Sequence, residues 1–129
     1  MTERQHVSSG TTWEDEVGYA RAVRVGKVVY VSGTTATGPE GKLVGGGDPY
    51  LQTKQALENV TAALQEAGAE LKHVVRTRIY VTNIDNWEAI GRAHREFFAD
   101  VKPATTMVEV NRLIDPGMLV EVEAEAVLD

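Results

Sequence analysis

Three glutamates near the end of the chain carry the most explicit potential for chemistry. Glu121, Glu123 and Glu125 alternate with small apolar residues, so on a strand they share one face at spacings of about 6 to 7 Å. One interpretation is a solvated face, and the other is a face turned toward a subunit interface or pocket, where neighbouring cations neutralise the carboxylates. The candidate cations are Arg76, Arg78 and Arg112. In the second interpretation a carboxylate can orient or deprotonate a water molecule.

Other chemically capable residues favour simpler interpretations. His94 falls on an apolar helical stripe and is expected to be a hydrogen-bonded core histidine, while His6 and His73 have no metal-ligand spacing. No metal site is predicted. Ser32 lacks the partners of a serine-hydrolase triad, so a polar contact is expected of it. Trp13 lies in a polar stretch and either walls a pocket or packs a subunit edge.

The composition excludes several classes of protein. The 129 residues contain no cysteine, which excludes thiol chemistry. The formal charge of −6 disfavours binding that neutralises nucleic-acid phosphates. There is no long apolar run, and the polar N-terminus with its early Glu3 does not resemble a signal peptide. We therefore expect a single domain over residues 1–129, cytoplasmic, with no membrane partner.

The elements that must position these residues can be predicted from the periodicity. Residues 19–32 are rich in valine and interrupted at Gly26, which predicts a hairpin. Residues 33–47 contain six glycines and predict a loop, without the spacing of a phosphate-binding motif. A helix is predicted over residues 49–67, with Asp48 as its N-cap and Gly68 beyond its last turn.

The second half predicts a strand over residues 74–82, a helix over residues 87–100, and strands over residues 104–112 and 119–128. A short extra strand is predicted near residues 6–9. The spacing in the second helix places Trp87, Phe97 and Phe98 in the core. The whole is an α+β fold, with five or six strands and two helices on one sheet face. Several strands look apolar on both sides, so the second face is expected to need a cover, which another subunit would supply.

Three stretches of the sequence, VVRTRIYVTNIDNWEAIGRAHREFF, PATTMVEVNRL and LVEVEAEAV, resemble the reactive-intermediate-deaminase (Rid) family, also called YjgF or L-PSP endoribonuclease. The resemblance extends over about residues 17–128. It implies a chorismate-mutase-like, ferredoxin-like mixed sheet and a homotrimer with a central barrel. It also implies interface pockets for a small-molecule metabolite, and no cofactor.

The resemblance also implies a set of site residues. Tyr19, Ser32, Gly33 and Glu121 match the family pattern, with Glu121 as the catalytic residue that positions water. An arginine that clamps the substrate carboxylate is replaced by Thr105. Two positions further on, Met107 replaces the usual cysteine, and Gly91 replaces an asparagine of the second helix. The substrate-binding set implied is therefore Tyr19, Ser32, Gly33, Thr105 and Met107.

Three functions follow from the resemblance. The first is hydrolysis of reactive enamines or imines to a keto compound and ammonia. A second is a non-catalytic trimer that binds a small metabolite, and a third is an endoribonuclease or translation inhibitor, which the acidic charge balance disfavours. Losing a bidentate charged clamp at Thr105 would weaken carboxylate binding by about ten- to a hundredfold or more, so activity without the arginine is an open question from the sequence. Either the substrate differs or another cation, such as Arg78 or Arg112, replaces it.

Overall fold

A computed structural model describes residues 3–129 as one sheet with helices against one face. Its elements in chain order are β1 (Arg4–Val7), α1 (Thr12–Val17), β2 (Ala22–Val25), β3 (Val28–Thr34), α2 (Pro49–Glu66), β4 (Val74–Val81), α3 (Trp87–Phe98), β5 (Ala104–Glu109) and β6 (Val120–Val127). Short 3-10 turns lie at Leu71–His73 and Ile84–Asn86. The sheet order is β1-β2-β3-β6-β4-β5. Only the β4–β5 pair is parallel among these strands, so the predicted mixed α+β sheet is confirmed.

Local sequence chemistry accounts for the main elements. Gly26 adopts a φ of 59° in the tight turn between β2 and β3, where Val25 pairs with Val28. The Asp48 carboxylate caps α2 by accepting from the Tyr50 and Leu51 backbone N–H groups at 2.9 and 3.2 Å. The predicted hairpin and first long helix are therefore present.

The N-terminal segment differs from expectation. The extra strand exists, but it covers Arg4–Val7, two residues earlier than predicted. A short helix at Thr12–Val17 was not predicted at all, because its sequence TWEDEV has too few apolar residues to show a helical stripe. It forms around one buried side chain, Glu14, which is 5% exposed. The structure therefore contains the two predicted long helices and one additional short helix, α1.

The second long helix, α3, contains one error in the predicted core. Phe98 is buried and Phe97 packs partly against the core, as predicted, but Trp87 is 55% exposed. Trp87 is the first residue of α3, and helical side chains lean toward the N-terminus, away from the turns that follow. Spacing alone placed it on the stripe, whereas its position at the helix end leaves it in solvent.

The second sheet face is mixed, with charged side chains on its central strands and apolar side chains around them, so the expectation of an apolar face is met only in part. Residues facing the helices are buried and mostly apolar: Val29, Val31, Ile79, Val81, Val120, Val122, Ala124 and Ala126. The alternate positions carry Tyr30, Arg76, Arg78, Tyr80, Thr106, Glu121, Glu123 and Glu125, together with Val23, Val25, Val28, Val108 and Val127. Alternation along β4 and β6 concentrates the charges at the centre of this face, and apolar side chains such as Val108 and Val127 remain exposed around them.

Candidate functional site

A cleft of about 930 Å³ opens where β3 loses its regular pairing with β6. The register shifts between Val31 and Thr34, so the backbone at Ser32 and Gly33 separates from the ladder and leaves space beside it. The N-terminal segment, the glycine-rich loop, α2 and β6 supply the other walls. Four of the residues predicted for the site line this cleft: Tyr19, Ser32, Gly33 and Glu121.

Glu121 lies directly against Gly33. A Cβ added at Gly33 would stand 2.9 Å from both Cδ and Oε2 of Glu121, which is closer than real Cβ contacts, so glycine is needed for this approach. Burial raises the pKa of Glu121, the nearby Arg21 charge opposes that rise, and Glu123 adds to it. The cleft therefore holds a half-buried carboxylate whose basicity exceeds that of an ordinary glutamate.

Arg21 is the site residue that the sequence analysis missed. It is only 9% exposed, its Nη2 donates to the Gly33 carbonyl oxygen at 2.6 Å, and its guanidinium stacks over the Tyr19 ring at 5.5 Å. Its Nε is buried and has no hydrogen-bond partner among residues 3–129. An arginine inside a valine-rich predicted strand, two residues after a matched tyrosine, was the available signal. Arg21 fixes the Gly33 carbonyl and places a positive charge near Glu121.

The other glutamates of β6 have separate partners on β4. The Tyr80 hydroxyl donates to Glu123, and this hydrogen bond raises the pKa of Tyr80. Arg78 pairs with Glu125 at 3.0 Å, as the sequence analysis proposed for one of its arginines. Glu123 lines the cleft beside Glu121, whereas Glu125 is not among the lining residues.

The remaining predicted cations, Arg76 and Arg112, do not reach the cleft within the chain. Arg112 is exposed and, like Arg76, makes no ion pair within the described part of the chain. Neither residue lines the cleft. The Ser32 hydroxyl donates to the Ala20 carbonyl oxygen at 2.7 Å, and the cleft lining contains no histidine. Ser32 is thus a polar contact, with no base beside it.

Thr105 and Met107 lie away from the cleft, on the edge strand β5 at the far end of the sheet order. Met107 packs against the core. The Thr105 hydroxyl lies 2.8 Å from that of Thr77, which lies 2.9 Å from Nε2 of His94. Thr105 also donates to the Pro103 carbonyl oxygen at 3.1 Å. Proton donation can therefore run from His94 through both threonines to that carbonyl.

His94 behaves as the predicted core histidine. Its ring packs against Phe98 with centroids 4.6 Å apart, and burial lowers its pKa. Among residues 3–129 no group of three or more metal-ligating side chains comes together. Over the same described range, none of the helices is both long enough and apolar enough to span a membrane.

Trp13 lies in the cleft wall and is 37% exposed. It follows the loop of residues 8–11, which folds around the Glu14 carboxylate. That carboxylate accepts hydrogen bonds from the Ser8 hydroxyl at 3.1 Å, from the Thr11 hydroxyl at 2.8 Å, and from both the hydroxyl and the backbone N–H of Ser9. Trp13 therefore lines the cleft of a single chain, and its packing at a subunit edge stays a prediction.

A mixed six-stranded sheet with a cleft beside its central strands defines a small α+β domain, and comparisons with known proteins identify its family. The family model Endoribonuclease L-PSP matches residues 11–128. The chain belongs to this family, which is the Rid/YjgF family that its sequence resembles.

Its relatives support the assignment. An uncharacterised protein of Streptomyces coelicolor is 44% identical, over 95% of this chain and 90% of that protein. A RutC family protein of Pyrococcus abyssi is 37% identical, over 84% of each chain. The structure also superposes on the crystal structure of a YjgF/YER057c/UK114 family member from Mycobacterium tuberculosis with a TM-score of 0.89. The two sequences are 48% identical, and the superposition covers 98% of this chain and 100% of that one.

Proposed function

We propose that this protein hydrolyses small reactive imines or enamines to carbonyl compounds and ammonia, with Glu121 handling the attacking water. The observation that carries the proposal is the Glu121 carboxyl, held inside the cleft against Gly33 with a raised pKa. A carboxylate with a raised pKa accepts a proton more readily at neutral pH. The positive charge of Arg21 limits that rise, so the group can remain ionised before the reaction.

The reaction needs no oxidant, reductant or cofactor. The water oxygen bonds to the imine carbon while Glu121 takes one water proton and passes it to the imine nitrogen, which gives a carbinolamine. Glu121 then takes the hydroxyl proton of the carbinolamine as the C=O bond forms and the C–N bond breaks. It delivers that second proton to the departing nitrogen, which leaves as ammonia. Tyr19 and Ser32 shape the cleft around the reacting centre.

The same proposal includes a homotrimer with the cleft at a subunit interface. The family resemblance supports this assembly, and the exposed edge strand β5 offers a surface for it. In that arrangement a neighbouring copy would bring its Thr105 toward the cleft, as the resemblance implies. Light scattering should give three times the mass of one chain, and a stable monomer at micromolar concentration would contradict the assembly.

Ligand binding without turnover is the competing function, and Thr105 is the observation that favours it. Its hydroxyl is neutral and already bonded to Thr77 and Pro103, so it offers a carboxylate little in place of a guanidinium. The endoribonuclease named in the family description has less support. Three carboxylates, from Glu66, Glu121 and Glu123, line the cleft, and they would repel phosphates.

The deciding experiment measures ammonia release from freshly generated 2-iminopropionate against an uncatalysed control. Glu121→Gln keeps the shape of the side chain and removes the base, so its rate should fall to near the uncatalysed rate. Glu125→Gln is the matched control, because Glu125 lies on the same strand face but outside the cleft. If both variants keep the wild-type rate, or if wild type gives none above the control, hydrolysis by Glu121 is refuted.

A further inference from the structure

The lining of the cleft combines polar side chains with exposed apolar ones. Glu121 and Arg21 are among the polar side chains, whereas Trp13, Val17 and Ile114 line the cleft and are 37%, 69% and 64% exposed. We infer that the cleft selects small imine or carbonyl compounds with a bulky apolar side chain, and that Trp13 determines this specificity. The inference rests on the proposed function, because it concerns the substrate of the same site.

The exposed apolar side chains point to a ligand because all three line one cleft. Single exposed apolar residues are ordinary, but a group of them around a cleft marks a binding site. A volume of about 930 Å³ lies within the range of pockets that enclose ligands much larger than a three-carbon imine. An indole ring also offers a large apolar surface that loses little rotamer freedom on binding.

The wall that carries Trp13 is held in place before any ligand arrives. The neighbouring Glu14 is 5% exposed and gathers the hydroxyls of Ser8, Ser9 and Thr11. Burial by itself would raise the pKa of Glu14, but the hydrogen bonds from these residues outweigh it and the pKa lies below its ordinary value. A wall that is already ordered adds affinity, because the ligand does not have to order it.

The charges of the cleft narrow the substrate class further. Arg21 is the only lysine or arginine that lines the cleft among residues 3–129, and it is already bonded to the Gly33 carbonyl oxygen. Glu66, Glu121 and Glu123 outnumber it. A substrate with a second anionic group would meet like charge, whereas an apolar side chain would meet Trp13. The selected compounds are therefore apolar at the end remote from the imine.

The test uses stable keto-acid products as probes, so it does not depend on catalysis. Calorimetric titration of the assembled protein should show 4-methyl-2-oxopentanoate binding about tenfold more tightly than pyruvate, because its three further carbons are partly buried. The dicarboxylate 2-oxoglutarate should bind most weakly. In Trp13→Ala, 4-methyl-2-oxopentanoate should bind no more than about threefold more tightly than pyruvate, and the affinity for pyruvate should equal that of the wild type. Trp87→Ala is the matched control, since Trp87 is exposed and outside the cleft.

Several outcomes would overturn the inference. Equal affinities for the two monocarboxylates in wild type would do so, as would no measurable binding of any probe, or a Trp13→Ala loss that affects both acids equally. Dissociation of the assembly by Trp13→Ala in light scattering would assign Trp13 to a subunit contact instead. If no imine releases ammonia but the Trp13-dependent preference remains, hydrolysis fails and the specificity stands.

Discussion

Two polar clusters lie at different places on the sheet, and their chemistry differs. In the cleft, Arg21 and Glu121 meet at Gly33, with one guanidinium nitrogen unpaired among the described residues and a carboxyl of raised pKa. Beside the edge strand, His94, Thr77 and Thr105 form a chain of hydrogen bonds that ends on a carbonyl oxygen. The second cluster is satisfied within the protein, and the first is not.

The comparison separates a structural role from a functional one. Buried polar groups that bond to one another stabilise the fold and leave little capacity for a ligand. A perturbed carboxylate in a cleft, beside a partly unpaired cation, retains that capacity. Removing an interaction from the cleft cluster should therefore alter activity more than stability, and removing one from the edge cluster should do the reverse.

Apart from replacing Glu121 itself, the largest effect is expected from Gly33→Ala. The new methyl group would stand 2.9 Å from the Glu121 carboxyl, and the flexible end of Glu121 can move aside at little cost in stability. Imine hydrolysis should then fall about a hundredfold, since a displacement of about 1 Å in a reacting group costs that much. The free energy of unfolding should change by less than about 1 kcal/mol.

Gly91→Ala provides the control for this change. A methyl group at Gly91 would meet nothing within 4 Å and lies inside α3, so it should stabilise the protein by roughly 0.5 to 1 kcal/mol. Its hydrolytic rate should equal that of the wild type. A normal rate in Gly33→Ala would show that the Glu121 position is not critical.

Thr105→Arg tests whether an arginine at position 105 restores the carboxylate clamp of the family pattern. We expect the wild type to hydrolyse 2-iminopropionate far more slowly than arginine-bearing relatives, and the variant to recover about tenfold, the lower end of what a charged hydrogen bond contributes. Adding Glu121→Ala should remove the gain. A wild-type rate equal to that of those relatives would show that another cation supplies the clamp. The sequence offers Arg78 and Arg112 for that role. Arg21 is the first cation to mutate, because it lines the cleft.

Thr77→Val should affect stability without affecting the rate. Thr77 is fully buried, and its hydroxyl links His94 to Thr105, so its loss should lower the free energy of unfolding by about 1 to 3 kcal/mol. Thr106→Val, at an exposed position of β5, should change it by less than about 0.5 kcal/mol. Urea denaturation measures both, and a large fall in hydrolysis for Thr77→Val would remove the distinction between the clusters.

Periodicity and end signals were sufficient for most of the fold. The Asp48 cap, the Gly26 turn and the alternation in β4 and β6 are local, so the sequence contains them. The failures depend on surroundings. Trp87 has the spacing of a core residue but lies at a helix end, and α1 forms around hydrogen bonds to Glu14 that involve no apolar pattern.

The sequence predicts residues of the cleft lining where the family pattern matches and not elsewhere. Glu121 and Gly33 are proposed from their matched positions, and the structure adds the close approach between them. Arg21 was missed because its role depends on a bulge in β3 that turns the Gly33 carbonyl toward it. The place of Thr105 depends on which strand β5 pairs with, and its sequence does not specify that pairing.

The smallest effect concerns His94 and the pH dependence of stability. Burial lowers the pKa of His94 below the ordinary value of 6.5, so above pH 6.5 the ring is neutral in both folded and unfolded chains and its contribution is complete. As the pH falls below 6.5 the unfolded chain binds the proton first, and stability is lost until the folded ring also titrates, at up to about 1.4 kcal/mol per pH unit.

His94→Gln keeps a hydrogen-bonding side chain without that titration, so its urea midpoint should fall less than that of the wild type between pH 7 and pH 5. The raised pKa of Glu121 acts with the opposite sign, adding stability as the pH falls, but it is common to both proteins and cancels in the comparison. Parallel curves would mean that His94 is protonated as readily in the folded protein as in the unfolded chain, and the edge cluster would then be less closed to solvent than its hydrogen bonds indicate.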